Sequence, residues 1–363
     1  MPDWGVTLAL QLLGVAIIAL LAPVALILLT WLERKVVARM QDRLGPNRVG
    51  TFGLLQGVAD AIKIMTKEDI TPLGADRWVY NLAPMLSLFA ALLIYAVIPV
   101  APNLIGTDLN IGVVYLIAVG AVGTLAVLMA GWGSNNKYAL LGAFRAVAQL
   151  LSYEIPMVFA LLAVVLVAGS LSTVTIVNAQ SVWFAVTLPI AFVLFLICSV
   201  AEVGRTPFDL TEAESELVAG YHTEYSGMKF ALFYFAEYVH LFGAGAITTT
   251  LFLGGWRGPF SEASPFLAIG YFFVKTILVV LLLMWIRGTL PRIRIDQLLD
   301  FGWKCCVPLS VALVVVTGIV VKVVDGVIAQ SLVLFAANLA LGAITLPWFA
   351  RMLAPRSTLE WES

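Results

Sequence analysis

The chain has 363 residues, 61% hydrophobic and 12% charged, with a formal net charge of −1. A soluble domain carries roughly 25% charged residues, so this composition excludes an ordinary soluble globule and points to an integral membrane protein packed against lipid. The near-zero charge gives no footing for nucleic acid. Cys198, Cys305 and Cys306 form no CxxC pair, so no iron–sulfur or zinc ligand set is apparent, and His222 and His240 are too few for a conventional haem stack. Any redox group therefore belongs to a partner or arrives as a diffusible substrate.

The first apolar run, roughly 6–32, exceeds a signal-peptide core of about 7–15 residues and ends in Glu33-Arg34-Lys35 rather than a small-residue cleavage site. It reads as a retained span. After it, residues 53–67 place Leu54, Val58, Ile62 and Met65 on one helical face and Asp60, Lys63 and Lys67 away from it. That pattern fits an amphipathic helix lying in the membrane interface, or equally one packed on a cytoplasmic partner. Further runs reach the roughly 20 residues a crossing needs: 80–100, 112–131, 145–168, 181–201, 230–253, 266–286, 307–324 and 327–350. Only a short turn holding Lys322 and Asp325 separates the last two, so the reading is eight to nine transmembrane helices. No repeat or low-complexity segment divides the chain, which reads as a single all-α membrane domain over 1–363.

The basic residues alternate between loops. One side holds loop 33–78, Lys137 and Arg145, Arg205 and Lys229, the group Arg287, Arg292, Arg294 and Lys304, and finally Arg351 and Arg356. The other side has Arg257 and Lys322, while Lys275 lies inside a span. The excess of bases on one side places the N-terminus outside and, with nine spans, the C-terminus inside. Arg34, Lys35, Arg205, Arg287, Arg292 and Arg294 then serve, at the least, to set topology at cytoplasmic span ends. Tyr221, Tyr225, Tyr234 and Tyr238 read as interfacial belt residues, and His222 as a satisfied loop residue. Asp60 and Lys63 are spaced for a surface ion pair.

Charge inside the spans is sparse. Glu154, Glu237 and Lys275 each cost about 2.5–3.5 kcal/mol at mid-membrane. Such groups are commonly functional and face a polar interior; the alternative is a structural pair of Lys275 with Glu237 or Glu154. Between the fifth and sixth spans, the stretch 202–224 carries Glu202, Asp209, Glu212, Glu214, Glu216 and Glu224 against the single base Arg205. Thr206-Pro207 breaks the preceding helix, and Thr211 with Glu214 forms a capping box for a new one. Glu212 and Glu216 then share a face, with Glu214 to one side. Two carboxylates about 6 Å apart repel by about 3 kcal/mol at an effective dielectric near 20, roughly two pKa units. Such a cluster can store and release protons near neutral pH, although a charge run taken alone is more often a solvated acidic loop.

Four segments carry a resemblance: WLERKVVARMQDRLGPNRVG (31–50), GLLQGVADAIKIMTKED (53–69), AEVGRTPFDLTEAESELVAGYHTEYSGMKFALFYFAEY (201–238) and RGTLPRIRIDQLL (287–299). Together they resemble the quinone-site membrane subunit family of respiratory complex I, over nearly the whole chain. The resemblance implies tilted helices joining a peripheral redox arm to a proton-pumping membrane arm, with loops 33–78, 202–229 and 287–306 meeting the peripheral arm. It implies a quinone tunnel at Glu33, Arg34, Asp60, Lys63, Arg205, Phe230, Tyr234 and Arg287. It also implies a proton path through Glu202, Asp209, Glu212, Glu214, Glu216 and Glu224 to Glu237 and Glu154. Quinone would be the substrate, no cofactor would sit on this chain, and iron–sulfur clusters and FMN would sit on partner subunits. The partners would be the peripheral-arm, small and antiporter-like subunits and the lipid of a bacterial cytoplasmic membrane. Two positions depart from the family pattern: Gly57 replaces a proline and Gly204 an asparagine. Lys275 matches no family element. An equivalent subunit linked to ferredoxin, coenzyme F420 or formate would carry the same segments. A stand-alone ion-coupled transporter would instead show inverted repeats and paired broken spans.

Overall fold

The computed structural model describes residues 4–102, 104–209, 219–261 and 264–352; the regular structure among them is all helical, apart from one isolated bridge between Ala101 and Leu104. Helix α1 runs Trp4–Met40, 37 residues, or about 55 Å at 1.5 Å per residue. The hydrocarbon core is about 30 Å thick, so α1 carries Glu33 and Arg34 beyond the apolar run 6–32. A chain reversal then leads into α2, Gln56–Met65, the predicted interfacial helix. Val58, Ile62 and Met65 are exposed on its free face. The structure accounts for Gly57: a Cβ there would come within 2.9 Å of Ile27 Cγ2 on α1, so the missing side chain lets α2 lie directly against α1.

Long apolar helices follow: α3 Arg77–Leu93, continued by a 3₁₀ turn over Ile94–Val97, α4 Gly112–Gly133 and α5 Lys137–Ala168. The side chain of Asp76 accepts from the amides of Trp78 and Val79 to cap α3, and Asn136 accepts from Tyr138 to cap α5. The run expected to cross over 181–201 is broken. After α6, Thr173–Ala179, it folds as a single turn α7, Phe184–Thr187, and then α8, Pro189–Val203. Leu188 has non-helical backbone angles and Pro189 occupies the first turn of α8, where its missing N–H costs nothing. The 15 residues of α8 span about 22 Å, short of the hydrocarbon thickness. Helix α8 ends at Gly204, whose φ of 70° is left-handed. Glycine and asparagine adopt that conformation most readily, which explains why glycine serves here where the resemblance expects asparagine. The helix therefore stops just before Thr206-Pro207.

The remainder comprises α9 Gly227–Phe252, α10 Pro265–Thr289, α11 Ile295–Asp300, a π turn over Phe301–Cys306, α12 Val307–Val323 and α13 Val327–Met352. Among the described residues, seven stretches are long and apolar enough to cross a membrane, α13 included; α1 adds the first apolar run. The protein is an all-α polytopic membrane protein. Its main buried cluster joins residues of α5, α8, α9, α10 and α12, among them Tyr153, Phe195, Phe252, Met284 and Leu313. This packing places the start of α9 and the end of α8 against the far end of α1.

Candidate functional site: a buried ion-pair junction between two cavities

Glu33, at the end of α1, is 3% exposed. Its Oε1 accepts from Nη1 of Arg205 at 2.9 Å and also from Arg287, at the end of α10. Arg205, 5% exposed, follows the glycine cap of α8. Its Nε lies 2.9 Å from Oε1 of Glu237 on α9. Its guanidinium also lies over the ring of Tyr238, 4.5 Å from the centroid, and the Tyr238 hydroxyl is hydrogen-bonded to that of Tyr234 at 3.1 Å. Four elements thus meet in one ion-pair network. Burial pushes the Arg205 pKa down, but the carboxylates of Glu237 and Glu33 outweigh it and hold it well above the ordinary arginine value. Sequence gives Arg205 at least a topology-setting place at a span end; the structure buries it in an ion-pair network instead. Its Nη2 is buried with no hydrogen-bond partner among the described residues.

Two cavities border this junction. One, of about 540 Å³, is almost wholly apolar, lined by Leu26 and Leu29 of α1, Tyr95 of the turn after α3, Tyr238 and Phe242 of α9, and Phe272 and Phe273 of α10. The other, of about 830 Å³, is lined by Glu33, Arg34, Arg43, Thr206, Tyr234, Tyr238 and Arg287. Tyr238 borders both. An apolar channel ending in a few convergent polar groups is the usual build of a site for a small, mainly apolar ligand.

Smaller cavities continue inward. Glu237 shares a cavity of about 110 Å³ with Glu202, His240 and Tyr221. Glu202 and His240 in turn border a cavity of about 30 Å³ that Glu154 also lines. Nε2 of His240 lies 3.5 Å from Oε1 of Glu202.

The other expected positions separate. Asp60 pairs with Arg34 at 2.6 Å and accepts from Gln56 at 3.2 Å; the expected Asp60–Lys63 pair does not form, and Lys63 is exposed, contributing only its longer-range charge. Burial raises the Asp60 carboxyl, but the hydrogen bonds from Arg34 and Gln56 outweigh it and hold the pKa below the usual carboxylate value. Asp209 pairs with Arg292 at 3.0 Å. Glu224 accepts from Asn136 at 2.6 Å. Neither acid lines the four cavities described above. Phe230 lies 6.4 Å from the Tyr234 ring, at the edge of the junction. Glu212, Glu214 and Glu216, with the Thr211 capping box, lie outside the described residues. His222 is not a satisfied loop residue: its Nδ1 is buried without a hydrogen-bond partner among the described residues. Lys275 pairs with neither Glu237 nor Glu154; its ammonium donates to the carbonyls of Leu253, Gly255 and Arg257 at 2.8, 3.1 and 2.7 Å. Sequence reasoning missed Tyr238 and His240 as site residues. The available signal was their position beside Glu237, one residue and nearly one turn along the same span, where an ionisable group is costly.

Helices that converge on a buried carboxylate–guanidinium network, beside an apolar and a polar cavity, define a polytopic membrane protein with fixed charges at the end of an apolar pocket. A family model described as NADH dehydrogenase matches residues 13–318. The chain is 49% identical over 317 residues to a subunit of the NADH-quinone oxidoreductase of Dehalococcoides mccartyi strain CBDB1, covering 87% of this chain and 88% of that one. It is 50% identical over 307 residues to the corresponding subunit from Geobacillus kaustophilus, covering 83% and 92%. It is 47% identical over 328 residues to one from Geobacter metallireducens, covering 88% and 98%. The chain belongs to the NADH dehydrogenase family.

Proposed function

We propose that this chain is the quinone-site membrane subunit of a proton-translocating NADH:quinone oxidoreductase, and that it couples quinone reduction to proton movement. The observation that carries the proposal is the junction of Glu33, Arg205, Arg287 and Glu237 beside Tyr238, which borders both the apolar and the polar cavity. A quinone enters along the apolar cavity with its head group toward Arg205 and Arg287; Arg34 and Tyr234 line the polar end of the approach, and Asp60, Lys63 and Phe230 flank it from outside. Electrons come from iron–sulfur clusters, and FMN, on partner subunits, and this chain holds no redox centre.

Two electrons and two protons convert quinone to quinol. Negative charge arriving on the head group competes with Glu33 and Glu237 for the two guanidinium groups. A close ion contact is worth about 4 kcal/mol at an effective dielectric near 20, so loosening Arg205 leaves Glu237 a better proton acceptor. The proton then moves through the cavities shared with Glu202 toward Glu154. Asp209, Glu212, Glu214, Glu216 and Glu224 belong to the same path on its cytoplasmic side. The chain then forms one domain in a bacterial cytoplasmic membrane, N-terminus outside and C-terminus inside, with loops 33–78, 202–229 and 287–306 on the peripheral arm.

The test is Glu237→Gln in the assembled complex in vesicles. The variant is expected to assemble with its iron–sulfur partners but to lose quinone-coupled proton translocation; translocation at the normal rate refutes the proposal. Purification as a lone chain that transports a solute would point to a transporter instead. Electron supply from ferredoxin, F420 or formate rather than NADH would point to a related oxidoreductase.

A further inference from the structure

His240 lies on α9 one turn beyond Glu237, and the coupling proposed above does not use it. Its side chain and that of Glu202 are each 22% exposed. Among the described residues, these two are the ionisable groups that line both inner cavities. Glu237 and Tyr221 line only the larger, and Glu154 only the smaller. Every proton passing between Glu237 and Glu154 through these cavities therefore passes the Glu202–His240 pair.

The surroundings fit a proton relay. Helix α3, the turn after it and α4 contribute no charged side chain to either cavity. Opposite Glu202, α4 presents Gly120, where a Cβ would stand 3.2 Å from Glu202 Oε1. That space beside the Glu202 carboxylate is left open by glycine, and the proton-binding partner of Glu202 comes from α9. Ser199 Oγ lines the smaller cavity, is buried, and has no hydrogen-bond partner among the described residues. A volume of about 30 Å³ suffices for a water molecule, given polar partners, and Ser199, Glu154, Glu202 and His240 supply them.

We propose that His240 is a proton-carrying residue of this path, sharing one proton with Glu202 and handing it across the small cavity to Glu154. A proton reaching the Glu202 carboxylate forms the acid. Transfer of that proton to Nε2 of neutral His240 gives carboxylate and imidazolium. Release from Nε2 through water to the Glu154 carboxylate regenerates neutral imidazole, so one proton has advanced and no charge is left on the imidazole. Imidazole suits the step because its ordinary pKa lies near neutrality, and a close acid–base pair titrates as a unit. The groups facing His240 are Glu202 of α8, Glu154 of α5, Tyr221 of the preceding loop and Glu237 of α9 itself.

The inference rests on the proposed function. The test is made on the whole complex in vesicles, measuring NADH:quinone reduction and proton translocation across a pH series. His240→Gln keeps hydrogen bonding but binds no proton, and is expected to cut translocation by about tenfold or more. His240→Glu restores a proton-binding group and is expected to recover translocation with a displaced pH profile. Wild-type translocation and an unchanged profile in H240Q overturn the inference, as does equal damage in H240Q and H240E, which marks a purely structural role. If neither assembles, Ser199→Ala decides: slower translocation supports the shared-water step, and an unchanged rate overturns it. A wild-type complex that does not reduce quinone with NADH refutes the proposed function instead, so the two failures are distinguishable.

Discussion

Two cations lean on α9 and are held in opposite ways. Arg205 is clamped by the carboxylates of Glu33 and Glu237 near the first half of the helix. Lys275 spends its three donors on the carbonyls of Leu253, Gly255 and Arg257, where the helix ends. The lysine is saturated: an ammonium has three protons to donate, and a helix C-terminus favours positive charge. Carbonyls cannot take up protons, so none of the groups that hold the ammonium changes charge. The arginine sits among groups that can, and its Nη2 lacks a partner among the described residues. One end of α9 is therefore built to stay fixed and the other to respond.

The largest effect should come from breaking the responsive end. Arg205→Ala removes the guanidinium shared by Glu33 and Glu237 and leaves Arg287 on Glu33; removing one partner of a buried pair costs about 3–5 kcal/mol. Loss of quinone reduction and a large fall in the unfolding temperature of the complex are expected; a variant as stable as the parent would show that the network contributes nothing. Lys275→Met comes next. It leaves carbonyls unpaired rather than charges, at about 1–3 kcal/mol. The expected outcome is a measurable fall in unfolding temperature with quinone reduction retained. Loss of quinone reduction in that variant would erase the distinction between the two ends.

Much of this was legible in the residues alone. Glu154, Glu202 and Glu237 stand out because a carboxylate amid apolar sequence has few structural excuses. The long spans stand out because hydropathy needs only a continuous run. Hydropathy is blind, however, to the break at Leu188, since a non-helical leucine is as apolar as a helical one; Pro189 was the available clue. The junction was hidden for another reason. Glu33 meets Arg205 across 172 positions and Arg287 across 254, and no spacing rule reaches that far, so composition offers arginines at span ends and nothing that pairs them. Lys275 misled in the same way: a lone cation inside a span suggests a carboxylate partner, whereas backbone carbonyls at a helix end carry no signature in the side chains.

A third base sharpens the contrast, with a smaller effect near neutral pH. His222 has neither carboxylate nor carbonyl to hold a charge on its buried Nδ1 among the described residues. The rings of Tyr221, Phe233 and Phe230 lie 3.8, 5.3 and 5.5 Å from its own, and burial pushes its pKa down to about 3 from the ordinary 6.5. Between those values the unfolded loop binds a proton that the folded loop does not. The folded arrangement is therefore fully favoured above pH 6.5 and loses stability as pH falls from 6.5 toward 3. Amide protection factors across 219–225, taken against the intrinsic exchange rate at each pH, should fall on acidification through that window, and His222→Phe should flatten the response. An equally steep response in the variant would show that other groups drive it.

The smallest effect is expected where an arginine–carboxylate pair of the same chemistry stays in reach of solvent. Arg34 and Asp60 pair at 2.6 Å, closer than Arg205 and Glu33, yet their side chains are 42% and 26% exposed against 6% and 3%. Exposed pairs contribute about 0–1 kcal/mol because water already solvates both charges and salt screens them. Asp60→Asn should thus lower the stability of the complex by less than about 1 kcal/mol, with the difference shrinking as salt is raised. The Asp60 carboxyl is held below its ordinary pKa, so whatever it contributes is present above about pH 4 and lost only on stronger acidification. The D60N difference should therefore be flat from about pH 5 to 8 on thermal unfolding of the complex. A loss as large as that of R205A, insensitive to salt, would mean that the assembled complex buries α2 as deeply as the junction itself, and exposure would no longer separate the two pairs.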